Sequence, residues 1–369
     1  MTEDILKECF EKAKKVIDIC STPNGLYASG GIEGYNAVWA RDSMISMIGA
    51  SVVDDRKFQD VFKKSIITLA ENQGRSGQIP NAVDKWEERT PHVDFKTIDS
   101  SLWFLIGNHV YRNRYGDKSL MKKYKKEITK ALMWLECQDF GENQLLGQLP
   151  TSDWFDAFPH RYGYTINTQA LYYKVLSLTW NTDEAVKLKT IVNNDKDDGL
   201  WNGKYYDSFR WKNHGKYKEV SDWFDSLGNY LAIVFDLATP EYSKKIIDYV
   251  KKNKICKPFP SKTIYPAITR KSKHWQDYYL DCNAGKPNNY SNGGIWGFIG
   301  GFYVLSLIKL GMMDEAKKAL LLLAEKNLKG NFPEWTHPVS KENFGHTQAW
   351  EAGMYLIAHE SLDQGKVLI

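Results

Sequence analysis

Hydrophobic and polar positions along the chain predict two kinds of helix that alternate six times. Helices of the first kind are amphipathic and Lys-rich, and we predict them at 2–20, 57–73, 118–138, 183–194, 240–253 and 313–327. Helices of the second kind are apolar or uncharged nearly all round and must be buried on most sides; we predict them at 42–53, 100–111, 166–178, 226–237, 294–310 and 347–359. Strict alternation predicts an all-α fold, an (α/α)6 barrel in which an outer ring of six helices wraps an inner ring of six.

The segments that join these helices are of two kinds. Each inner helix runs into the next outer helix through a few residues, whereas each outer helix reaches the next inner one through a longer loop rich in aromatic residues, Gly, Pro, Asn and Asp. Long loops at one end of a scaffold usually carry function. The stretch 200–210 could form short strands, but no linker or low-complexity segment divides the chain. We therefore predict a single catalytic domain over 1–369.

Composition favours a sugar ligand over nucleic acid or a membrane. The 49 Lys and Arg residues nearly balance 45 Asp and Glu, so the chain has no strong field for either of those partners. Aromatic residues make up 14% of the chain, and sugar rings stack on such surfaces, although most of the rings are expected in the core. The first helix lacks the pattern of a signal peptide, and the apolar run Ile295–Ile308 is too short to cross a bilayer. We expect a soluble cytoplasmic protein.

The remaining composition gives no sign of a metal or a cofactor. Five cysteines, at positions 9, 20, 137, 256 and 282, are odd in number and show no CxxC spacing, which argues against a disulfide framework and against a zinc site. We find no Gly-rich phosphate loop and no Ser-His-Asp signature. The sequence therefore predicts no metal, no cofactor, and a small carbohydrate as the partner.

Residues that could carry chemistry are concentrated in the long loops, just before the inner helices. The stretches are GYNAVWARDS (34–43), IPNAVD (79–84), FKTIDSSLW (95–103), SDWFD at 152–156 and again at 221–225, NNYSNGGIWG (288–297) and the segment 330–350. Converging over the inner ring, they would form a pocket of carboxylates, aromatic rings and amides. Such a pocket suits glycoside hydrolysis, in which one carboxyl group protonates the leaving oxygen and another activates water.

The two copies of SDWFD are followed by different sequences. Asp225 runs directly into an apolar helix, so it is expected to cap that helix, with Asp222 favoured by the helix dipole. Asp156 is followed by Ala-Phe-Pro-His-Arg, and the next helix is expected to begin near Thr165, too far away to be capped. Aromatic neighbours such as Trp154 should desolvate Asp156 and raise its pKa, as a general acid requires.

Other candidates have alternative roles. Glu334, in NFPEW, lies well before the last helix and is a plausible general base. Asp42 and Asp99 stand at the start of apolar helices, where each could bind a sugar or only cap the helix. His337 and His346 could be pocket residues, or the acid and base of a sugar epimerase.

Taken in order, these motifs resemble those of the (α/α)6-barrel inverting exo-glycosidases. That group includes the amylo-α-1,6-glucosidase domain of glycogen debranching enzymes, the alkaline/neutral invertases and, more distantly, glucoamylases and mannosylglycerate hydrolases. YNAVWARDS is similar to the Trp-x-Arg-Asp segment of these enzymes, which implies that Arg41 and Asp42 hold the terminal sugar against Trp39. TIDSSLWF is similar to their Asp-x-x-Leu-Trp segment, which implies that Asp99 and Trp103 line the same subsite.

The resemblance covers nearly the whole chain and implies the catalytic pair. SDWFDAFPHRYGYTINTQALYY is similar to the segment with the general acid, here Asp156, and FPEWTH followed by TQAWEAGMYL is similar to the segment with the general base, here Glu334. YSNGGIWGFIGGFYV resembles the stretch that begins the fifth inner helix. The other substrate-binding residues predicted in these segments are Trp154, Asn292, Gly293, Trp296, Trp335, His337, His346, Gln348 and Trp350.

We therefore expect an inverting exo-glycosidase acting on a small α-glycoside, an α-glucosyl di- or oligosaccharide. Its two carboxyl groups are expected about 6.5–9.5 Å apart, which leaves room for the attacking water. A small substrate is expected because the chain shows no β domain, transferase domain or starch-binding module of the polymer-degrading relatives. An invertase acting on sucrose, a sugar epimerase or isomerase that uses the histidines, and a non-catalytic sugar-binding protein stay open as alternatives.

Overall fold

The computed structural model describes residues 2–30, 34–84, 91–157, 159–179, 181–196, 199–214, 216–281 and 285–369. Within these ranges the chain forms thirteen α-helices: α1 (Thr2–Cys20), α2 (Ala40–Ala50), α3 (Arg56–Glu71), α4 (Asp99–Tyr115), α5 (Ser119–Lys123), α6 (Lys125–Glu136), α7 (Ile166–Leu178), α8 (Thr182–Val192), α9 (Ser226–Val234), α10 (Pro240–Lys252), α11 (Gly297–Lys309), α12 (Met313–Gly330) and α13 (Ala349–Asp363). All twelve predicted helices are present. The additional helix arises because the predicted helix 118–138 is divided at Tyr124 into α5 and α6.

Burial separates the helices into the two predicted kinds. In the amphipathic α1 the buried side chains recur every three or four residues, as in Leu6, Cys9, Ala13 and Val16. In α2 and α9, by contrast, every residue is buried. None of the described helices is long and apolar enough to cross a membrane.

The six buried helices contact one another in a closed cycle. Helix α2 packs on α4, α4 on α7, α7 on α9, α9 on α11, α11 on α13, and α13 returns to α2. The closing contact is close, because a Cβ atom at Gly49 of α2 would overlap the carbonyl group of Gly353 in α13. The amphipathic helices contact this cycle: α3 packs on α2 and α4, α6 on α4, α8 on α7, α10 on α9, α12 on α11 and α13, and α1 on α12 and α13.

The connections have the predicted asymmetry. Short links lead from the buried helices to the amphipathic ones, at 51–55, 116–118, 179–181, 235–239 and 310–312. The return segments are much longer and span 21–39, 72–98, 137–165, 193–225, 253–296 and 331–348. The side chains predicted to carry chemistry lie in these long segments or in the first turns of the helices that follow, except Trp103 in the second turn of α4.

The long segments also hold short strands, which the sequence pattern allowed for only at the stretch 200–210. In the described ranges these are β1 (Ser21–Thr22), β2 (Gly25–Leu26), β3 (Val38–Trp39), β4 (Ala82–Val83), β5 (Val93–Asp94), β6 (Gly147–Gln148), β7 (Gly163–Thr165), β8 (Phe209–His214), β9 (Tyr217–Val220), β10 (Phe224–Asp225), β11 (Ile264–Tyr265), β12 (Trp335–Thr336) and β13 (Asn343–Phe344). They pair antiparallel as β3-β4-β5, β6-β7-β8-β9 and three two-stranded sheets. The pairing joins one loop to the next, since β3 and β4, or β7 and β8, lie in successive long segments.

Two helix starts match the sequence prediction. Thr165 caps α7 by accepting a hydrogen bond from the backbone N–H of Thr168. Asp225 caps α9 by accepting from the N–H of Gly228 at 3.3 Å. Cys282, one of the five cysteines, lies outside the described residues, and the other four are not in disulfides.

Candidate active site

A pocket lies where several of the long segments meet. It encloses about 420 Å³, counting the part that is open to solvent. Helices α2 and α13 and the segments that lead into α2, α7, α11 and α13 supply its walls. The lining residues are Ala28, Tyr35, Trp39, Arg41, Asp42, Trp154, Asp156, Tyr290, Trp296, Glu334, Gln348 and Trp350.

Arg41 is a buried cation at the back of this pocket. It lies in the first turn of α2, next to the loop of Asn81, because β3 pairs with β4. Its guanidinium donates to Oδ1 of Asn81 at 2.8 Å and to Oδ2 of Asp156 at 3.0 Å, and it lies 3.5 Å from Oδ1 of Asp99. Burial lowers the pKa of Arg41, but the carboxylates of Asp99 and Asp156 outweigh that effect and raise the pKa above its ordinary value. Arg41 is therefore charged at every working pH.

Asp42 and Asp99 lie in the first turns of α2 and α4, and neither is the capping residue of its helix. Each can still stabilise the start of its helix through the helix dipole, and sugar binding by either stays a prediction. Asp99 is fully buried behind Arg41 and does not line the pocket. Asp42 does line it, and burial raises the pKa of Asp42 to about 7, an effect that Arg41 partly offsets.

The Asp156 carboxyl faces the pocket. Solvent reaches 38% of its side-chain surface, and Arg41 lies against one of its oxygens. Burial by the surrounding protein raises the pKa of Asp156, while Arg41 opposes the rise. A raised pKa keeps the group protonated to a higher pH, which is what a proton donor requires. Because α7 is capped by Thr165, Asp156 has no role in starting that helix.

Glu334 precedes β12 and is held by two tyrosines. A bridge between Thr336 of β12 and Ile295 places this segment beside the loop that carries Tyr290. The hydroxyl groups of Tyr35 and Tyr290 donate to Oε1 of Glu334 at 3.1 and 3.3 Å. Burial raises the pKa of Glu334 to about 7; the two hydroxyl groups oppose this rise, and nearby carboxylates add to it.

Indole rings form one wall of the pocket. The ring of Trp296 makes edge contacts with Trp154 and Trp350, at centroid distances of 5.9 and 5.5 Å. Nε1 of Trp154, Nε1 of Trp350 and Oε1 of Gln348 have no hydrogen-bond partner among the described residues. Since buried polar atoms are nearly always hydrogen-bonded in proteins, these three are candidates to bind a ligand or water.

Some predicted site residues lie outside the pocket lining. Trp103 is buried between helices, with its ring 6.3 Å from that of Phe302, so it is not a pocket wall. The side-chain amide of Asn292 is occupied by hydrogen bonds to the backbone: it donates to the carbonyl oxygens of Ile268 and Gly285, both at 2.9 Å. Gly293 directs its N–H to a threonine hydroxyl at 2.9 Å.

Three further predicted residues, all near the β12–β13 hairpin, are also absent from the lining. Trp335 stacks on Phe344 at a centroid distance of 4.0 Å. Nδ1 of His337 accepts hydrogen bonds from the backbone N–H groups of Val339 and Ser340. His346 is exposed, and its Nδ1 lies 3.0 Å from the hydroxyl oxygen of Thr347.

The sequence interpretation missed the two tyrosines that hold Glu334. Tyr35 and Tyr290 both lie in stretches that were singled out, 34–43 and 288–297. Nothing in one sequence indicates that either would meet Glu334, because the contact depends on how three separate loops fold together. Their aromatic rings were expected in the pocket only as part of its general composition.

An aspartate bound by a buried arginine and a glutamate bound by two tyrosines, in one aromatic pocket, are the kind of carboxyl pair that glycoside hydrolases use. The family model described as amylo-alpha-1,6-glucosidase matches residues 12–356. The chain belongs to this glycoside hydrolase family.

The chain is also similar to curated invertases in sequence and to solved hydrolase structures in fold. Probable alkaline/neutral invertase F of Arabidopsis thaliana is 25% identical over 340 residues, which cover 72% of this chain and 64% of the invertase. The chain thus spans less than two thirds of that relative's length. The GH63 mannosylglycerate hydrolase of Thermus thermophilus, in complex with Tris and D-glycerate, superposes with a TM-score of 0.71 at 12% identity, over 94% of this chain and 99% of that one. In complex with glucose, the same hydrolase gives a TM-score of 0.69 at 13% identity, over 94% of this chain and 98% of that one. At such identities the likeness shows the fold.

Proposed function

We propose that the protein is an inverting exo-glycosidase, a single-domain (α/α)6 barrel that hydrolyses a small α-glycoside such as an α-glucosyl disaccharide. The observation that carries the proposal is the pair of pocket carboxyl groups, Asp156 and Glu334, which have raised pKa values and different hydrogen-bond partners. The closed cycle of six buried helices supports the barrel, and the glycosidase relatives support the class of reaction.

In the proposed mechanism Asp156 is the general acid. It donates its proton to the glycosidic oxygen as the bond from that oxygen to the anomeric carbon breaks, and the aglycone leaves as an alcohol. Arg41 lowers the pKa of Asp156, so the acid depends on burial to stay protonated. A bound sugar excludes water from the pocket and strengthens the effect of burial, which favours the protonated form in the complex.

Glu334 is the general base of the same reaction. Two hydroxyl groups hold its Oε1, and no hydrogen bond to Oε2 occurs among the described residues, so Oε2 is free to accept a proton. A water molecule gives that proton to Glu334 while its oxygen forms the new bond on the opposite face of the anomeric carbon. One glycoside and one water thus yield one alcohol and one free sugar of inverted configuration.

The remaining lining residues are proposed to hold the non-reducing sugar. The Asp42 carboxyl, the indole N–H groups of Trp154 and Trp350, and the Gln348 amide supply acceptors and donors for sugar hydroxyl groups. Trp39 and Trp296 supply apolar walls. Asp99 helps to hold Arg41 in place. The hydrogen bonds of Asn292 and Gly293 fix the loop that precedes Trp296.

Sucrose is the second candidate substrate, favoured by the identity with the Arabidopsis invertase. The same acid and base would cleave it, so the distinction lies only in the aglycone. Neither His337 nor His346 lines the pocket, and the placement of these residues gives no support to an epimerase.

A substrate panel tests the proposal. The protein is incubated with α-linked glucose disaccharides, sucrose, glucosylglycerate and mannosylglycerate, and with free hexoses, and the products are identified by NMR. We expect hydrolysis of at least one α-glucoside, and release of fructose would identify the invertase. Interconversion of free hexoses without hydrolysis of any glycoside would overturn the proposal.

A further inference from the structure

Arg161 is a buried guanidinium that links the two copies of SDWFD. Its Nε donates to Oδ2 of Asp153 at 2.8 Å, and its Nη2 lies 2.8 Å from the same oxygen. Its Nη1 donates to Oδ2 of Asp225. All three side chains have no solvent exposure. Asp153 belongs to the first copy and Asp225 to the second, so one cation joins two loops that are distant in sequence.

The first of these loops carries Asp156, which lies between Asp153 and Arg161. Oδ1 of Asp153 accepts from the backbone N–H of Phe155 at 2.9 Å, and its Oδ2 also accepts from the Gln148 amide at 2.9 Å. Cζ of Arg161 lies 4.2 Å from the centre of the Phe155 ring, a cation–π contact. The residue before Asp156 is therefore fixed through both its backbone and its ring.

The other end of the link is a helix of the inner cycle. Asp225 caps α9 through the N–H of Gly228, and α9 packs on both α7 and α11. The ion pair from Arg161 to Asp225 thus connects the Asp156 loop to the buried scaffold. No second cation contacts Asp153 or Asp225 among the ion pairs of the described residues, so among these ion pairs Arg161 alone joins the two aspartates.

We propose that Arg161 is a positioning residue for the general acid. By joining Asp153 to Asp225 it fixes the Asp156 loop against α9, so that the Asp156 carboxyl meets the glycosidic oxygen, while Arg161 itself touches no substrate. Asp225, in the second SDWFD copy, then helps to position Asp156, in the first copy. This inference rests on the proposed role of Asp156.

Only an arginine can make this link. Its planar fork presents donors in two directions at once, whereas a lysine ammonium is a compact charge without a fixed direction. A displacement of about 1 Å at a reacting group can cost about 100-fold in rate. Replacing Arg161 with Lys should therefore keep the buried charge but loosen the loop.

The test compares two leaving groups. For Arg161→Lys, kcat and KM are measured on the best α-glucosyl disaccharide and on α-glucosyl fluoride, whose leaving group needs little help from a general acid. We expect kcat on the disaccharide to fall about 10- to 100-fold with little change in KM, and kcat on the fluoride to fall no more than about threefold. A purely structural role would lower both rates alike.

Arg210→Lys is the matched control. Arg210 is a buried arginine that pairs with Asp207 at 2.8 Å and does not line the pocket, so both rates should stay near wild type. If Arg161→Lys does not fold, Asp225→Asn replaces it, because Asn caps a helix as well as Asp but gives up the ion pair. The same dependence on the leaving group is expected.

Two results would overturn the inference: wild-type turnover of the disaccharide by a folded Arg161 variant, or equal losses on both substrates. If the wild-type protein hydrolyses neither substrate, the proposed function itself fails. If the wild-type protein is active and either of the two results above is found, only the proposed role of Arg161 fails.

Discussion

The two proposed catalytic carboxyl groups have different kinds of hydrogen-bond partner. Asp156 lies against the cation of Arg41, and burial, with a smaller contribution from the Asp153 carboxylate, raises its pKa against that charge. Glu334 has no cation beside it among the described residues; two tyrosine hydroxyl groups hold Oε1 instead. Both sets of donors favour the ionised carboxyl and burial opposes them, so the proposed roles come from the resemblance of the two segments to those of the inverting exo-glycosidases.

Asp156→Asn should lower kcat on a disaccharide by about 10²- to 10⁴-fold with the fold intact, because the change removes a proton donor and no core atoms. Asparagine keeps an oxygen that can accept from Arg41. The measurement is steady-state kinetics, with thermal unfolding as the control for folding. Turnover like that of the wild-type protein would reject Asp156 as the acid.

The pH dependence of kcat/KM should be bell-shaped. Burial raises the pKa of Glu334 to about 7, so below that pH the base is protonated and activity should fall. Activity also requires Asp156 to be protonated, and burial raises the pKa of Asp156, so activity should fall again at high pH. Rates measured between about pH 4 and pH 10 provide the check, and full activity near pH 5 would contradict the assignment of Glu334.

The sequence predicted a pocket formed by all six long loops, whereas four of them line it, and individual contacts were predicted less well. Trp103 was expected as a wall, yet its position on α4 directs it into the packing between helices. Asn292 was expected to bind sugar, yet its amide is used by backbone groups of its own loop. Arg161 received no role, because its two partners are brought together only by the folded chain.

At the scale of elements, helices were predicted well and strands were not. A pattern that repeats over ten or more residues, as in α1 or α10, indicates a helix from sequence alone. Strands of two residues, such as β3 and β12, have no periodicity and form because neighbouring loops pair. These strands matter nonetheless, since they fix where Arg41 and Glu334 enter the pocket.

A substitution at Gly345 tests whether the β12–β13 hairpin positions Glu334. It has a φ of +65°, and a Cβ there would lie 2.9 Å from Cβ of Glu334. Gly345→Ala should therefore destabilise the fold by roughly 1–2 kcal/mol and also lower kcat by displacing the base. Unfolding curves and kinetics measure the two effects.

Gly311→Ala is its matched control. Gly311 has a similar φ of +71°, but a Cβ there would meet no atom within 4 Å. It should show the loss of stability alone, since it lies between α11 and α12, away from the pocket. Equal kcat for the two variants would contradict the inferred contact with Glu334.

At the scale of the whole molecule, the sequence pattern predicted two alternating classes of helix. The contacts between helices add the order in which the buried helices pack around the cycle. The cycle closes between α13 and α2, near opposite ends of the chain, where Gly49 faces Gly353. No local pattern predicts such a contact. Closure brings the segments that precede α2, α7, α11 and α13 to one pocket, and two of them, those before α7 and α13, supply the carboxyl pair.

The central claim is that this pair hydrolyses an α-glycoside with inversion. The most direct measurement is proton NMR of the anomeric signals during the first minutes of hydrolysis by the wild-type protein, before mutarotation equilibrates the product. Direct attack by a water activated by Glu334 predicts that the β-anomer of the released sugar appears first. Initial release of the α-anomer would contradict the account, because it would require a covalent intermediate and a nucleophile in place of the base.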